Sequence, residues 1–204
     1  MSGNGNRSRR DLLTGWMDMF RGVSSAASGT AKYDPEKLLR PPGALKPDED
    51  FLAACTGCGD CIPVCPTSSI ITVELEDERQ IPVIAPSTKA CYLCTELPCI
   101  AACDEGALVD PGGPEQVRMG IARVDPRRCV TFRGEICDKC YTACPYPDRA
   151  IMSIGGRPLI GSGACTGCGL CEMACPEFPK AIVVIAERNL VPGLRIPKEE
   201  HHAG

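Results

Sequence analysis

Sixteen of the 204 residues are cysteine, and they stand in four short runs. The first reads Cys55-Thr56-Gly57-Cys58-Gly59-Asp60-Cys61-Ile62-Pro63-Val64-Cys65-Pro66, a C-x2-C-x2-C-x3-C-P pattern. It returns almost letter for letter at Cys165, Cys168, Cys171 and Cys175-Pro176. The two runs between them are variants. Cys91, Cys94, Cys99 and Cys103 read C-x2-C-x4-C-x3-C, and Cys129, Cys137, Cys140 and Cys144 read C-x7-C-x2-C-x3-C-P. Three thiols within seven residues are hard to join as disulfides without strain. Thiolate zinc sites are built from separate C-x2-C pairs rather than from triplets with a fourth cysteine before proline.

The regular spacing is that of a loop holding a [4Fe-4S] cluster, in which the fourth cysteine ligates the other cluster of a pair. Four runs of four use every cysteine, so all sixteen are candidate ligands and four [4Fe-4S] clusters are the expected cofactors. Gly57, Gly59, Gly167 and Gly169 carry no Cβ and leave backbone N–H groups free to approach inorganic sulfur. The proline after the fourth cysteine is expected to end the loop and open a short helix.

Such cofactors would also supply a core. Aromatic residues make up 4% of the chain, against 21 glycines and 19 prolines, so an ordinary apolar interior is thin and metal is needed as a staple. The formal charge is −4 with neutral cysteines; thiolate ligation makes the loaded protein more acidic still. That balance argues against a nucleic-acid partner. No window approaches 18 apolar residues, so no membrane span is expected.

Along the chain, residues 1–47 are expected to form an N-terminal amphipathic helix and a linker. Leu12, Leu13, Trp16, Met19 and Phe20 recur at helical spacing. Packing on the protein's own surface, docking a partner and a remnant of export all remain open for this segment. Ser8-Arg9-Arg10 looks like a twin-arginine export motif, but Asp18 and Arg21 break the apolar stretch that export requires. The expected location is therefore cytoplasmic, with the periplasm as the alternative. Residues 22–50, rich in Ser, Ala, Gly and Pro, read as a linker or an extended strap laid over the body, with Asp48 as N-cap of a short helix that turns Phe51 and Leu52 inward. Residues 48–186 form the body. After each run the apolar pattern reads as short helix, strand, turn, strand: Ile71, Val73 and Leu75 against Ile81, Val83 and Ile84; Ala107 to Val109 against Met119, Ile121 and Val124; Ile151 and Ile154 against Leu159 across Gly155-Gly156. Residues 187–204 read as a polar, solvated tail, with His201 and His202 as bystanders. The fold class expected is α+β: two bacterial-ferredoxin-like modules of short helices and β-hairpins around four clusters, with extended N- and C-terminal segments.

Two pairings of the runs are possible. Adjacent pairing joins the first to the second and the third to the fourth. Nested pairing joins the first to the fourth and the second to the third, and the likeness of the outer runs favours it. Nesting assigns Cys55, Cys58, Cys61 and Cys175 to one cluster, and Cys165, Cys168, Cys171 and Cys65 to another. The inner clusters would then take Cys91, Cys94, Cys99 and Cys144, and Cys129, Cys137, Cys140 and Cys103.

Leu97-Pro98-Cys99, the Gly120-Ile121-Ala122 strand before Cys129, and the Gly134-x2-Cys137-x2-Cys140 loop together resemble the NapG/MauM-type ferredoxins. The Ser-Arg-Arg start is closer to the related NapF type. One departure is Asp104, where these proteins usually carry proline. The resemblance implies four [4Fe-4S] clusters and a chain similar to the electron-transfer subunits of molybdopterin oxidoreductases. It also implies redox partner proteins: an electron donor, membrane-bound or not, and the catalytic subunit of a molybdenum, tungsten or quinol-linked oxidoreductase. Some such relatives are implicated in maturing the molybdoenzyme, which supplies the alternative function.

The residues leave little room for catalysis of their own. The sequence has no phosphate-binding glycine loop, no dinucleotide fingerprint, no radical C-x3-C-x2-C motif and no histidine in the body. With four cysteines at every cluster, no iron is left open to substrate. The chain is expected to move electrons and break no bonds. Lys89, Arg127, Arg128, Arg133, Lys139 and Arg149 flank the middle runs, while Asp60 and Glu172 lie inside the outer ones. On the nested arrangement, this predicts a higher potential for the inner pair of clusters.

Overall fold

The computed structural model describes residues 34–201. The N-terminal amphipathic segment, the Ser8-Arg9-Arg10 motif and His202 lie outside the described residues.

Each regular element is short, as expected of a chain that turns back on itself at every cysteine run. Helix α1 (Asp48–Ala54) precedes the first run. Strands β1 (Ile70–Glu74) and β2 (Gln80–Ile84) follow it as an antiparallel hairpin, with Ile70 opposite Ile84 and Glu74 opposite Gln80. Helix α2 (Pro98–Ala101) carries Cys99. Strand β3 (Gly120–Val124) precedes the third run, and α3 (Lys139–Thr142) carries Cys140. Strands β4 (Ile151–Ile154) and β5 (Arg157–Ile160) form the second hairpin. Helix α4 (Leu170–Ala174) carries Cys171, β6 (Ile182–Ala186) follows, and α5 (Lys198–His201) ends the described chain. This is the α+β architecture that the alternating patterns predict.

Helices α2, α3 and α4 begin just before the third cysteine of their runs rather than after the fourth. Lys180 shows why the proline stops α4 instead of opening a helix: its ammonium donates to the Met173 and Cys175 carbonyls, satisfying acceptors that a continuing helix would have used. Asp48 also differs from expectation. It is the first residue of α1, after Pro47, and caps nothing. Its carboxylate instead receives two hydrogen bonds from Arg40, at 2.7 and 2.8 Å. Burial pushes the Asp48 carboxyl up, but the Arg40 contacts outweigh it and hold the group below the usual carboxylate range. The same guanidinium lies 4.9 Å from the centre of the Phe51 ring, and Phe51 is fully buried.

Two of the three expected hairpins form. The third does not: β3 pairs with β6, with Gly120 opposite Ala186 and Val124 opposite Ile182, instead of with residues 107–109. Those residues bond to the N-terminal strap, where Leu45 N–H donates to the Ala107 carbonyl and Val109 N–H to that of Gly43. The strap therefore stands to the first half as β3 stands to the second. It also seals β2. Leu39 exchanges two backbone hydrogen bonds with Ile84, both 2.9 Å, and Leu38 packs with Val83 and Ala85. Covered on both faces, β2 reads as an unbroken apolar run, Ile81-Pro82-Val83-Ile84.

The segment after Glu187 is not a solvated tail. Leu190 is buried, Val191 N–H donates to the Ile196 carbonyl, and the Arg195 guanidinium donates to the carbonyls of Gly120 and Cys165. Arg195 also pairs with Glu187 at 3.2 Å, and Arg123 pairs with Glu200. Polar residues here tie the chain end down because their partners are backbone carbonyls and carboxylates of the body. His201 closes α5 and is exposed.

Candidate metal centres

Four cavities are each lined by four cysteines. Site I brings together Cys55, Cys58, Cys61 and Cys103, beneath Phe51 and Leu108. Site II brings together Cys91, Cys94, Cys99 and Cys65, against Ile70 and Ile84. Site III is lined by Cys129, Cys137, Cys140 and Cys175, beside Val124 and Ile182. Site IV is lined by Cys165, Cys168, Cys171 and Cys144, beside Ile151 and Val184.

Each run thus gives three cysteines to its own cavity and lends the fourth to its neighbour in sequence. The nested grouping is overturned: Cys175 joins Cys129, Cys137 and Cys140 rather than the first run, Cys65 joins the second run, Cys144 the fourth and Cys103 the first. The reason lies in the hairpins. Strands β1 and β2 return the chain to the place it left, so that the Ser69 hydroxyl donates to the Ala90 carbonyl at 2.6 Å, beside Cys65 and Cys91. Closing a short loop also costs less entropy than closing a long one. The likeness of the outer runs reflects a shared loop shape instead. Gly167, at φ +75°, lies against β3 so closely that a Cβ there would sit 2.3 Å from the Gly120 nitrogen. That packing, rather than access to inorganic sulfur alone, is what the loop glycine secures. Without the nested grouping, the predicted ranking of potentials loses its premise.

All sixteen thiols are free of disulfides. Among the described residues, no three Cys, His, Asp or Glu side chains converge tightly enough to hold a single metal ion. Quartets that share a cavity yet stand too far apart for one ion fit a polynuclear group. Tetrahedral zinc, with Zn–S near 2.3 Å, would draw the sulfurs together. Burial, with the neighbouring thiols adding to it, pushes Cys61 up to about 12. Cys91 rises to about 12 chiefly through burial, and Cys99, Cys140 and Cys168 to about 11. Without metal these groups would be neutral, so loading the sites releases protons. Donors to sulfur are already in place: Ser69 N–H points at Cys65 Sγ (3.3 Å), Leu93 N–H at Cys91 Sγ (3.4 Å) and Ala122 N–H at Cys165 Sγ (3.5 Å). Such bonds stabilise thiolates and tune a cluster's potential.

A larger cavity of about 490 Å³ lies between the N-terminal strap and the segment after Glu187, lined by Arg40, Arg118, Met119, Arg188 and Leu190 among others. No cysteine reaches it, so it is separate from the metal chemistry. Glu172, expected as a charge inside an outer run, is buried. Burial raises its carboxyl to about 7, and it accepts the Val184 N–H at 2.7 Å.

The order of the sites in space is a single file. Sites I and II are neighbours because the first and second runs each give cysteines to both. Cys91 of site II donates its backbone N–H to the carbonyl of Cys168 in site IV, at 2.9 Å. Sites IV and III are neighbours in the same way, and the helices that carry Cys171 and Cys140 pack together. The row runs I, II, IV, III, and the Cys91–Cys168 bond joins its halves.

Those halves coincide with recognisable domains. A 4Fe-4S dicluster domain matches residues 54–107, and a second 4Fe-4S dicluster domain matches residues 121–176. The chain is 36% identical over 206 residues to the methylamine utilization ferredoxin-type protein MauM of Paracoccus denitrificans (strain Pd 1222), covering 91% of this chain and 90% of that protein. The chain belongs to the MauM/NapG ferredoxin-type family. MauM of Methylorubrum extorquens is 37% identical over 197 residues, covering 87% of this chain and 89% of that protein. The ferredoxin-type protein NapG of Escherichia coli (strain K12) is 36% identical over 162 residues, covering 72% and 70%. As a MauM/NapG-type ferredoxin the protein carries four [4Fe-4S] clusters on its two dicluster domains and sixteen cysteines, and serves electron transfer rather than catalysis. No helix among the described residues is long and apolar enough to cross a membrane.

Proposed function

We propose that this ferredoxin is a relay between an electron donor and a larger oxidoreductase that it serves as subunit or dedicated partner. The cluster ligands on this reading are the four quartets: Cys55, Cys58, Cys61 and Cys103; Cys91, Cys94, Cys99 and Cys65; Cys129, Cys137, Cys140 and Cys175; Cys165, Cys168, Cys171 and Cys144. When bound, each cluster supplies one-electron redox chemistry. The chain's own contribution is to hold the four sites in one row, to bury half of the ligands and to aim backbone N–H groups at several of their sulfurs. The observation that carries the reading is the Cys91–Cys168 backbone bond, which makes one continuous file of what would otherwise be two separate carriers. The relatives' names place MauM in methylamine utilization, and a dehydrogenase or reductase of comparable standing is the kind of enzyme such a file would serve.

Anaerobic affinity purification of the native complex, followed by rapid-mixing redox measurements, tests it. The expected result is about sixteen iron atoms per chain and electron exchange with the co-purified enzyme within its turnover time. Association only with a metal-free form of that enzyme, with no exchange, would identify an assembly factor and overturn the relay.

A further inference from the structure

We infer that site III is the port at which this relay meets a redox protein whose docking face is apolar and rimmed with carboxylates. The inference rests on the relay reading. A row of four has two ends, site I and site III, and the two differ. Around site I stand the exposed carboxylates Glu49, Asp50, Asp60, Asp104 and Glu105, and Cys58 is the exposed member of its quartet. Around site III stand Arg127, Arg128, Arg133 and Lys139, all exposed, interleaved with the carboxylates Asp125, Glu135, Asp138 and Glu177. Arg127 is 94% exposed, and its Asp125 contact is a loose 3.8 Å.

Site III also carries the two most exposed large apolar side chains among the described residues. Ile136 is 102% exposed and Phe178 97%. Ile136 immediately precedes the ligand Cys137, and Phe178 lies three residues past the ligand Cys175. Arg133 binds the two loops together, reaching Glu135 at 3.5 Å and Glu177 at 3.7 Å. Among the described residues, nothing covers Ile136 or Phe178. Exposed apolar residues ringed by charge mark an interaction surface. The chain as a whole carries a formal charge of −4 and the site I end presents mainly carboxylates, so an acidic-rimmed partner is repelled least at the mixed, arginine-bearing end.

The test uses the anaerobic, cluster-loaded protein and two probes with apolar contact faces of opposite rim charge: plastocyanin, flanked by carboxylates, and cytochrome c, ringed by lysines. Dithionite-reduced protein gives one electron to the oxidised copper or haem, followed by stopped-flow absorbance. Ile136→Ser with Phe178→Ser, and separately Arg127→Glu with Arg128→Glu, should each slow transfer to plastocyanin by about fivefold or more at low salt. Transfer to cytochrome c should change less than about twofold. A second readout needs no electron: with both proteins oxidised, carbodiimide should join plastocyanin carboxylates to Lys139, and both double variants should lose that cross-link while keeping their iron content and EPR spectra. Unchanged plastocyanin rates with an unchanged cross-link map overturn the port at site III and leave the relay standing, as does an equal fall with both probes. No transfer from the unaltered protein to either probe overturns the relay, and this inference with it.

Discussion

A single cysteine reports which site it serves. Cys55 and Cys103 line the same cavity, so Cys55→Ser and Cys103→Ser combined should cost no more than either alone, about four iron atoms per chain. Cys55→Ser combined with Cys175→Ser strikes two cavities and should cost about eight; nested pairing would give the reverse. Iron and acid-labile sulfide analysis of anaerobically purified variants decides it. Which residues line the sites was legible in the spacing, because three cysteines in seven residues can be placed in one loop without knowing the fold. Which neighbour receives the fourth was not, because that depends on where β1 and β2 return the chain, and likeness of letters carries no distance. Gly167 shows the same limit. Its absence of a Cβ was legible, but what it makes room for, the backbone of Gly120, lies far away in sequence. Gly167→Ala should cost about 2 kcal/mol or more, from a left-handed backbone and a forced shift of β3, seen as a lower midpoint in anaerobic denaturant unfolding.

Among the elements, the two local hairpins were readable from their alternation and, in the second, from the Gly155-Gly156 turn. The β3–β6 ladder was not: its partners lie some sixty residues apart and nothing in a five-residue strand names its mate. Nor was the closing role of the chain ends, since Arg195 looks like any surface arginine until its acceptors are known to be the carbonyls of Gly120 and Cys165. Arg195→Ala leaves those acceptors unpaired and should cost about 2 kcal/mol, with faster loss of iron from site IV on exposure to chelator. On the opposite strap, Leu39 is fully buried against β2; Leu39→Ala should cost about 3 kcal/mol, in the same unfolding assay, with the greater lability at sites I and II.

For the molecule as a whole, metal and core are one structure. Eight of the sixteen cysteines are among the buried core residues, so stripping the clusters should remove the centre of both halves. Circular dichroism after oxidation in the presence of EDTA is expected to show collapse of the strand signal in a single phase with iron release. The seam between the halves can be probed separately. Gly169, at φ +89°, packs against Pro86, where an added Cβ would come within 2.4 Å of a proline carbon. Gly169→Ala should therefore keep its iron but slow equilibration of electrons between the halves, read by freeze-quench EPR after partial reduction. The seam has a further implication. Because Cys91 and Cys168 both line metal sites and clasp one half to the other, the halves cannot drift apart while sites II and IV stay intact. Damage at site II or IV therefore severs the row at its middle, whereas damage at site I or III leaves the seam standing.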